Sequence, residues 1–368
     1  MVKKKVLFFR PSLGQGGADR VTATLLRRLD RARFEVSVAL VSAEGPFMQD
    51  LPDDVTVHRL ESRRLALSVP ALRRLIRRVE PDVLFSTASA ANVIAVMAHG
   101  LARSRSRLVL SERSALFRGR SNDAKQRIEV ALKRVTYRRA DVVTVVSNGL
   151  GNQLVTNLSL PRDLVRVVYN PIVEENLAEH VAEPVDHPWF APGAVPVIVA
   201  CARLVVQKDY PSLLAAFAKV RAARDVRLFI LGEGALRSSL EAHAQKLRIA
   251  NDVCFFGFDK NPLKYMARAQ ILMHASNTEG LPGSLIQSMA CGTPVISTDC
   301  DYGPREVISS NVDGFLVPVG DIDALAERAI NLLSDDALRA TMGDRARVSA
   351  ARFSVESSLK RYAAALEG

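Results

Sequence analysis

Cysteine, histidine and aromatic residues are scarce. The 368-residue chain has four cysteines, six histidines and a single tryptophan, and Phe, Tyr and Trp together make up 6%. Cys201, Cys254, Cys291 and Cys300 stand at no short paired spacing. That excludes a zinc-ribbon pattern and a disulfide scaffold. Each sits in or beside an apolar run, where a small buried side chain is expected. The basic segments lack the interleaved rings on which single strands stack, so no nucleic-acid partner is expected. A membrane-spanning run is missing too. The longest apolar stretch, ASAANVIAVMAHGLA from Ala88 to Ala102, is shorter than the roughly 20 residues a span needs and contains Asn92 and His99. The first residues, MVKKKVLFF, pass straight into an arginine and a glycine loop and form no secretory pattern. A cytoplasmic location is expected.

What is abundant is positive charge, and it is unevenly placed. Residues 1–170 carry 30 Lys and Arg against 15 Asp and Glu, and the remainder carries 20 against 24, within a net charge of +11. Much of the excess lies in helical patterns such as LRRLIRRVE and RIEVALKRVTYRRAD. Two readings stay open: a solvated face with no partner, or an anionic membrane surface, where basic amphipathic helices lie without spanning.

Short Val/Ile/Leu runs alternate with helical patterns along the whole chain: seven before residue 170 and six after 196. Continuous apolar strands separated by helices predict parallel sheets covered on both faces, hence an α/β, doubly wound architecture. The rhythm breaks at residues 171–196, where prolines, acids and Trp189 concentrate. We read that segment as the linker and entry to a second Rossmann-like domain, giving domains 1–170 and 171–353. Two such domains bind ligands at the carboxyl ends of their strands, so a cleft with the domains facing across it is the expected site.

Several motifs bear on chemistry. RPSLGQGGADRV (Arg10 to Val21) follows the first strand and opens a helix. Gly16 and Gly17 either form a structural turn or let the helix's free N–H groups face an anion. In ARLVVQKDYPSLLAAF, Arg203 ends the second domain's first strand and Lys208 precedes a helix. Two cations there suit a diphosphate, or are ordinary loop charges. ILGEGALRSSL brings Gly232, Glu233 and Gly234 after a strand, but without the third glycine of a dinucleotide loop. The DCD at 299–301 lies in a loop with no second acidic cluster near it in sequence, and no metal is expected.

The stretch HASNTEGLPGSLIQSMACGTPVISTD (His274 to Asp299) places Glu279 after a strand ending at Ser276. A helix is expected from Gly283–Ser284 to Cys291, ended by Gly292 and Pro294. Glu279 then presents a carboxylate to sugar hydroxyls, beside the N–H groups around Pro282, Gly283 and Ser284, which suit phosphate. Gln287, one turn in, suits a ribose.

Taken in order, GGADRV, PDVLFS, YNPI, ARLVVQKDYPSLLAAF, LGEG, FFGF, EGLPGSLIQSMACGTPVISTD and DGFLVPVGD cover nearly the whole chain. The set resembles the retaining glycosyltransferases of family 4, which have the GT-B fold. The resemblance implies that Gly16, Gly17, Arg203 and Lys208 bind the donor diphosphate, that Glu279 contacts the transferred sugar, and that Gln287 replaces the glutamate that binds ribose. It assigns Gly232, Glu233 and Phe258 of LGEG and FFGF to the ribose and base. It also implies that the last helix, 354–368, returns to the first domain. Many relatives carry a histidine facing the acceptor where SERSAL (Ser111 to Leu116) has Glu112 and Arg113, and these two are the acceptor-side candidates.

The expected activity is transfer of a hexosyl unit from a nucleotide-diphosphate sugar, UDP by family habit, to a hydroxyl with retention and without a metal or other cofactor. Lipid-linked or membrane-presented glycan acceptors fit the basic first half. Two rivals share the scaffold: a nucleotide-sugar epimerase, which needs acid and base groups poised across one sugar, and a non-catalytic sugar-nucleotide binding protein.

Overall fold

The computed structural model describes residues 2–14, 16–116 and 124–368, so Gln15 of the glycine loop lies outside it. The chain divides into two units, residues 1–171 with 356–368, and residues 172–355.

In the first unit the elements run β1 (Lys4–Arg10), α1 (Gly17–Arg28), β2 (Phe34–Leu40), β3 (Thr56–Arg59), α2 (Val69–Val79), β4 (Val83–Ser86) and α3 (Ser89–Ala102). They continue with β5 (Arg107–Glu112), α4 (Ala124–Tyr137), β6 (Val142–Val145), α5 (Asn148–Leu158) and β7 (Val165–Val167). The strands form one parallel sheet in the order β3-β2-β1-β4-β5-β6-β7. Every residue of β4 and β6 is buried, as continuous apolar strands covered on both faces must be.

The second unit comprises α6 (Leu177–Ala182), β8 (Val197–Cys201), α7 (Tyr210–Ala223), β9 (Arg227–Leu231), α8 (Arg237–Lys246), β10 (Val253–Gly257), α9 (Leu263–Met266) and β11 (Ile271–His274). After these come α10 (Gly283–Ala290), β12 (Val295–Thr298), α11 (Pro304–Val307), β13 (Phe315–Val317), α12 (Ile322–Ser334) and α13 (Asp336–Ala350). Its six strands are parallel in the order β10-β9-β8-β11-β12-β13. Phe217, Leu228, Ile230, Ile271, Met273, Ile296, Leu325 and Leu332 form its core. Burial of each such side chain contributes about 1.5–3 kcal/mol. Both sheets are therefore Rossmann-like, and in each the strand order reverses once: between β1 and β4, and between β8 and β11.

The linker is held by its aromatics. The Phe190 and Phe229 rings lie 5.1 Å apart, and Arg227 lies over Trp189. Near the end of the chain, residues 353–355 pair with Ile172 and Val173 through three backbone hydrogen bonds of 2.9–3.1 Å. The last helix, α14 (Val355–Glu367), then lies on the first unit. Lys4 donates to the Glu367 carbonyl at 2.8 Å, and Arg107 donates to that of Ala365 at 3.1 Å.

Candidate active site

The reversal point of the second sheet is where the chemistry gathers. Loops that leave β8 and β11 at their carboxyl ends diverge there and leave a place for a ligand. After β8 the chain makes a single 3-10 turn, Val206–Lys208, which Asp209 ends in the left-handed region at φ 43°. Asp209 is also the N-cap of α7: its carboxylate accepts from the Ser212 amide at 3.4 Å and hydroxyl at 2.8 Å, with Pro211 in the first turn. Tyr210 donates to the Ala202 carbonyl at 3.0 Å, and the Asn277 amide donates to the Gln207 carbonyl at 2.9 Å. The turn is thus fastened to both strand ends, and Lys208 forms an ion pair with Glu279.

Glu279 is held from the other side by a residue that sequence reasoning missed. His274, the last residue of β11, is buried, and its Nε2 lies 2.9 Å from Glu279 Oε1. A carboxylate only accepts, so Nε2 carries the hydrogen. The other ring nitrogen, Nδ1, is 3.1 Å from Ser297 Oγ of β12, and Ser276 Oγ is 3.0 Å from Nε2. Burial alone would raise the Glu279 carboxyl. The Lys208 ammonium and His274 outweigh it and hold the group far below the usual carboxylate range. Burial, reinforced by this carboxylate, pushes the neighbouring Cys300 thiol up to about 12. The one signal that could have found His274 is its place: the strand's final position, five residues before the acid.

The loops that leave β9 and β10 pack together against the loop that leaves β8. Gly232 has φ 141°, and a Cβ there would sit 2.0 Å from the Ala202 carbonyl oxygen. Its N–H donates to the Gly257 carbonyl at 2.7 Å, and the Leu204 amide donates to the Glu233 carbonyl at 2.9 Å. The glycines after β9 are therefore needed for backbone packing against the β8 loop. The Glu233 carboxylate accepts from Arg237 at 2.6 Å, and Arg237 also donates to the Phe255 carbonyl. Phe258 follows β10 directly and is half-buried. Arg203 is exposed and has no side-chain partner among the described residues, so its guanidinium is available to an anion.

Helix α10 starts at Gly283 and ends at Ala290, with Gly292 at φ 77° closing it. No side chain caps it at Pro282, so the amides of its first turn keep the free donors of a helix start. Ser284 and Gln287 are half-buried, and neither side chain is hydrogen-bonded among the described residues. In the DCD loop, Asp299 pairs with Arg305 at 2.6 Å. Among the described residues no three His, Cys, Asp or Glu side chains converge as a metal site.

The sequence-predicted residues of the first unit fall at and near its own reversal point. Arg10, the last residue of β1, is buried; it donates to the Thr87 carbonyl beyond β4 at 2.7 Å and pairs with Asp19 at 2.6 Å. Gly16 caps α1, and its amide donates to the Asp19 carboxylate at 3.0 Å. One donor of the glycine loop is thus already taken by an internal acid. Gly17 has open space around its Cβ position. Arg113 reaches the Ala18 carbonyl at 3.4 Å and the Tyr362 hydroxyl at 3.5 Å. Glu112 requires a correction as an acceptor-side residue. It is fully buried, accepting from Tyr137 at 2.6 Å and pairing with buried Lys133 at 3.2 Å. A carboxylate so enclosed holds the domain together and does not meet a substrate.

Residues 186–349 match the family model described as Glycosyl transferases group 1, and residues 15–176 match that of Glycosyltransferase Family 4. The N-acetylgalactosamine-N,N'-diacetylbacillosaminyl-diphospho-undecaprenol 4-alpha-N-acetylgalactosaminyltransferase of Campylobacter jejuni is 31% identical over 364 residues, covering 95% of this chain and 96% of its own. The lipopolysaccharide core biosynthesis glycosyltransferase LpsE of Rhizobium meliloti is 25% identical, with 90% and 89% covered. Among solved structures, Anabaena HepE in complex with UDP and glucose superposes with a TM-score of 0.84 at 22% identity, covering 99% of this chain and 100% of its own. That likeness shows the fold to be GT-B. No helix among the described residues is long and apolar enough to cross a membrane.

Proposed function

Because the chain belongs to the glycosyl transferases of group 1, with a family 4 amino-terminal half, we propose that it transfers a hexosyl unit from a UDP-sugar to a glycan hydroxyl, with retention at the anomeric carbon. The observation that carries the reading is the Lys208–Glu279–His274 cluster at the reversal point of the second sheet, beside exposed Arg203 and the uncapped start of α10. The barrier lies in separating the anomeric carbon from a diphosphate. Arg203, Lys208 and the α10 amides stabilise the charge developing on the leaving group, a role for which fixed donors and cations are well suited. Glu279, kept ionised, accepts hydrogen bonds from the hydroxyls of the transferred sugar. The bond from the anomeric carbon to the diphosphate oxygen breaks, and a bond to the acceptor oxygen forms on the same face. The acceptor's proton passes to the departing phosphate. In this reading the chain's own cations do the work a metal does elsewhere. Gln287 takes a ribose hydroxyl as a neutral acceptor.

The name of the Campylobacter relative suggests a diphospho-lipid-linked glycan as the acceptor, and the basic first unit suggests that it is met at an anionic membrane surface in polysaccharide or lipopolysaccharide assembly. The spatial pairing of His274 with Glu279 is the one feature an epimerase would also want. His274 is buried behind the acid with both nitrogens engaged, which suits holding Glu279 and not reaching a sugar. The test is UDP binding by calorimetry, with mass spectrometry of a lipid-linked acceptor, in wild type and Arg203→Gln. A lengthened acceptor and a loss of at least about tenfold in UDP affinity, the cost of one charge-assisted hydrogen bond, are expected. Unchanged affinity and turnover in the variant would overturn the assignment, and epimerised donor with no lengthened acceptor would favour the rival.

A further inference from the structure

The loop that leaves β12 holds the DCD motif, and it is clipped at both ends. Asp299 opens it: its amide donates to the Val317 carbonyl of β13 at 2.7 Å, which keeps it in the sheet. Its two carboxylate oxygens accept from Arg305, the second residue of α11, at 2.8 Å from Nε and 2.6 Å from Nη2. Two parallel N–H···O bonds of this kind fix both distance and direction. At the far end of α11, Arg352 donates to the carbonyls of Glu306 at 2.8 Å and Val307 at 2.9 Å. A helix of four residues has too few internal bonds to stand alone. These outside bonds decide where it lies.

What the clipped loop touches gives the pair a use. Gly303, the N-cap of α11, has φ 88°, and a Cβ there would stand 2.8 Å from Pro282 Cδ and 3.0 Å from the Gly280 carbonyl oxygen. Bare backbone thus packs on the residues that lead from Glu279 into α10. Cys300, buried on the same loop, lies close enough to Glu279 for that carboxylate to act on its thiol. The loop therefore backs the candidate donor site at two points. The fork itself stands outside, with the Arg305 side chain 63% exposed and that of Asp299 27%. A pair so exposed adds little to overall stability. Its geometry instead fixes one local quantity, the distance from the end of β12 to the start of α11.

We propose that Asp299 and Arg305 are positioning residues for the donor site: without touching the donor, their fork sets the loop that seats Gly280–Pro282, and with it the Glu279 carboxylate and the first-turn amides of α10. This placement serves transfer only if α10 holds the donor diphosphate, as in the reading above, so one readout is kept independent of any donor. The test compares wild type, Asp299→Ala, Arg305→Gln and the swapped pair Asp299→Arg/Arg305→Asp. UDP affinity is measured by calorimetry, and labelling of Cys300 by a disulfide reagent is followed by peptide mass spectrometry. Each single variant should bind UDP roughly two- to fivefold more weakly, the weight of one exposed ion pair, and label Cys300 faster by a similar factor. The melting temperature should fall by no more than about 4 °C. The swapped pair should return both readouts to within about twofold of wild type, because the fork is remade with its charges exchanged. Wild-type affinity and labelling in both single variants would overturn the proposal. So would a loss in Arg305→Gln alone, since the guanidinium would then meet the donor itself. Labelling that follows the expected pattern in a protein that binds no UDP would uphold the seating of the loop and overturn the donor reading instead.

Discussion

Lys208→Met removes the cation from a carboxylate that the fold has buried, and its cost can be worked from the geometry. The Glu279 side chain is 9% exposed and that of Lys208 is 19%. Stripping one partner from a fully buried pair costs about 3–5 kcal/mol. Partial exposure of the lysine and the remaining His274 bond reduce this to about 3 kcal/mol. For a unit of this size each kcal/mol lowers the melting temperature by about 2–4 °C, so a fall of about 6–12 °C is expected at pH 7.5. The pH dependence follows from the sign of the shift. In the wild type the Glu279 carboxyl lies below its unfolded value. Its contribution is therefore present above about pH 4.3 and is lost only as pH falls through the much lower folded value. Without Lys208, burial pushes the carboxyl up, and protonation relieves the charge. The deficit relative to wild type should shrink between pH 7.5 and 4.5. Glu279→Gln added to Lys208→Met should restore more than half of the loss at pH 7.5, because an amide needs no counter-ion. Thermal melts of the three proteins at both pH values suffice. A single variant as stable as wild type at pH 7.5, or a double variant no better than the single, would refute the account of Glu279 as a buried charge held by Lys208.

Other outcomes follow from the same geometry. Gly232→Ala should cost about 3 kcal/mol or more, because a Cβ would meet the Ala202 carbonyl in a backbone conformation that L-residues avoid; denaturant titration reads it directly. Cys300 should be inert in the native state at pH 8, its thiol buried and pushed up to about 12. Wild type and Cys300→Ala should therefore react with a disulfide reagent at the same rate until unfolded, and a fast-reacting thiol missing from the variant would contradict this. Gln287→Glu should tighten UDP-sugar binding about fivefold, the gain of a charged over a neutral acceptor, with kcat within about twofold; weaker binding would show that Gln287 does not meet the ribose.

Much of this architecture is legible in the chain because parallel strands buried on both faces advertise themselves. VLFS, VVTV, ILMH and VIST are apolar or small but for His274, and uniformly buried. The helix after Glu279 was equally plain, since Gly292 at φ 77° and Pro294 end it where the sequence says they must. What the sequence could not convey was which loops meet. Lys208 and Glu279 are 71 residues apart, and their contact depends on β8 lying beside β11, a fact of strand order and not of spacing. His274 escaped notice because a histidine ending an apolar strand reads as part of the strand. Glu112 misled for the opposite reason. An acid at a strand end next to an arginine looks accessible, and only the inward turn of Lys133 and Tyr137 on α4 reveals that it is enclosed.

The two reversal points differ in charge, and the difference bears on where a diphosphate would sit. In the first unit Arg10 is answered by Asp19, whose carboxylate also occupies the Gly16 amide at the start of α1. An anion approaching that helix end meets a fixed acid already in the position where anions are stabilised. In the second unit Glu279 answers Lys208 alone, Arg203 stands free, and no acid caps α10. The second site therefore presents a free guanidinium and uncapped N–H donors, whereas at the first an acid already stands at the helix start. On the proposed reading the leaving group's charge is set with Arg203, Lys208 and α10, where cations and open donors can stabilise it. For the glycine loop to hold a phosphate, Arg113 and the unobstructed backbone at Gly17 have to offset the Asp19 carboxylate.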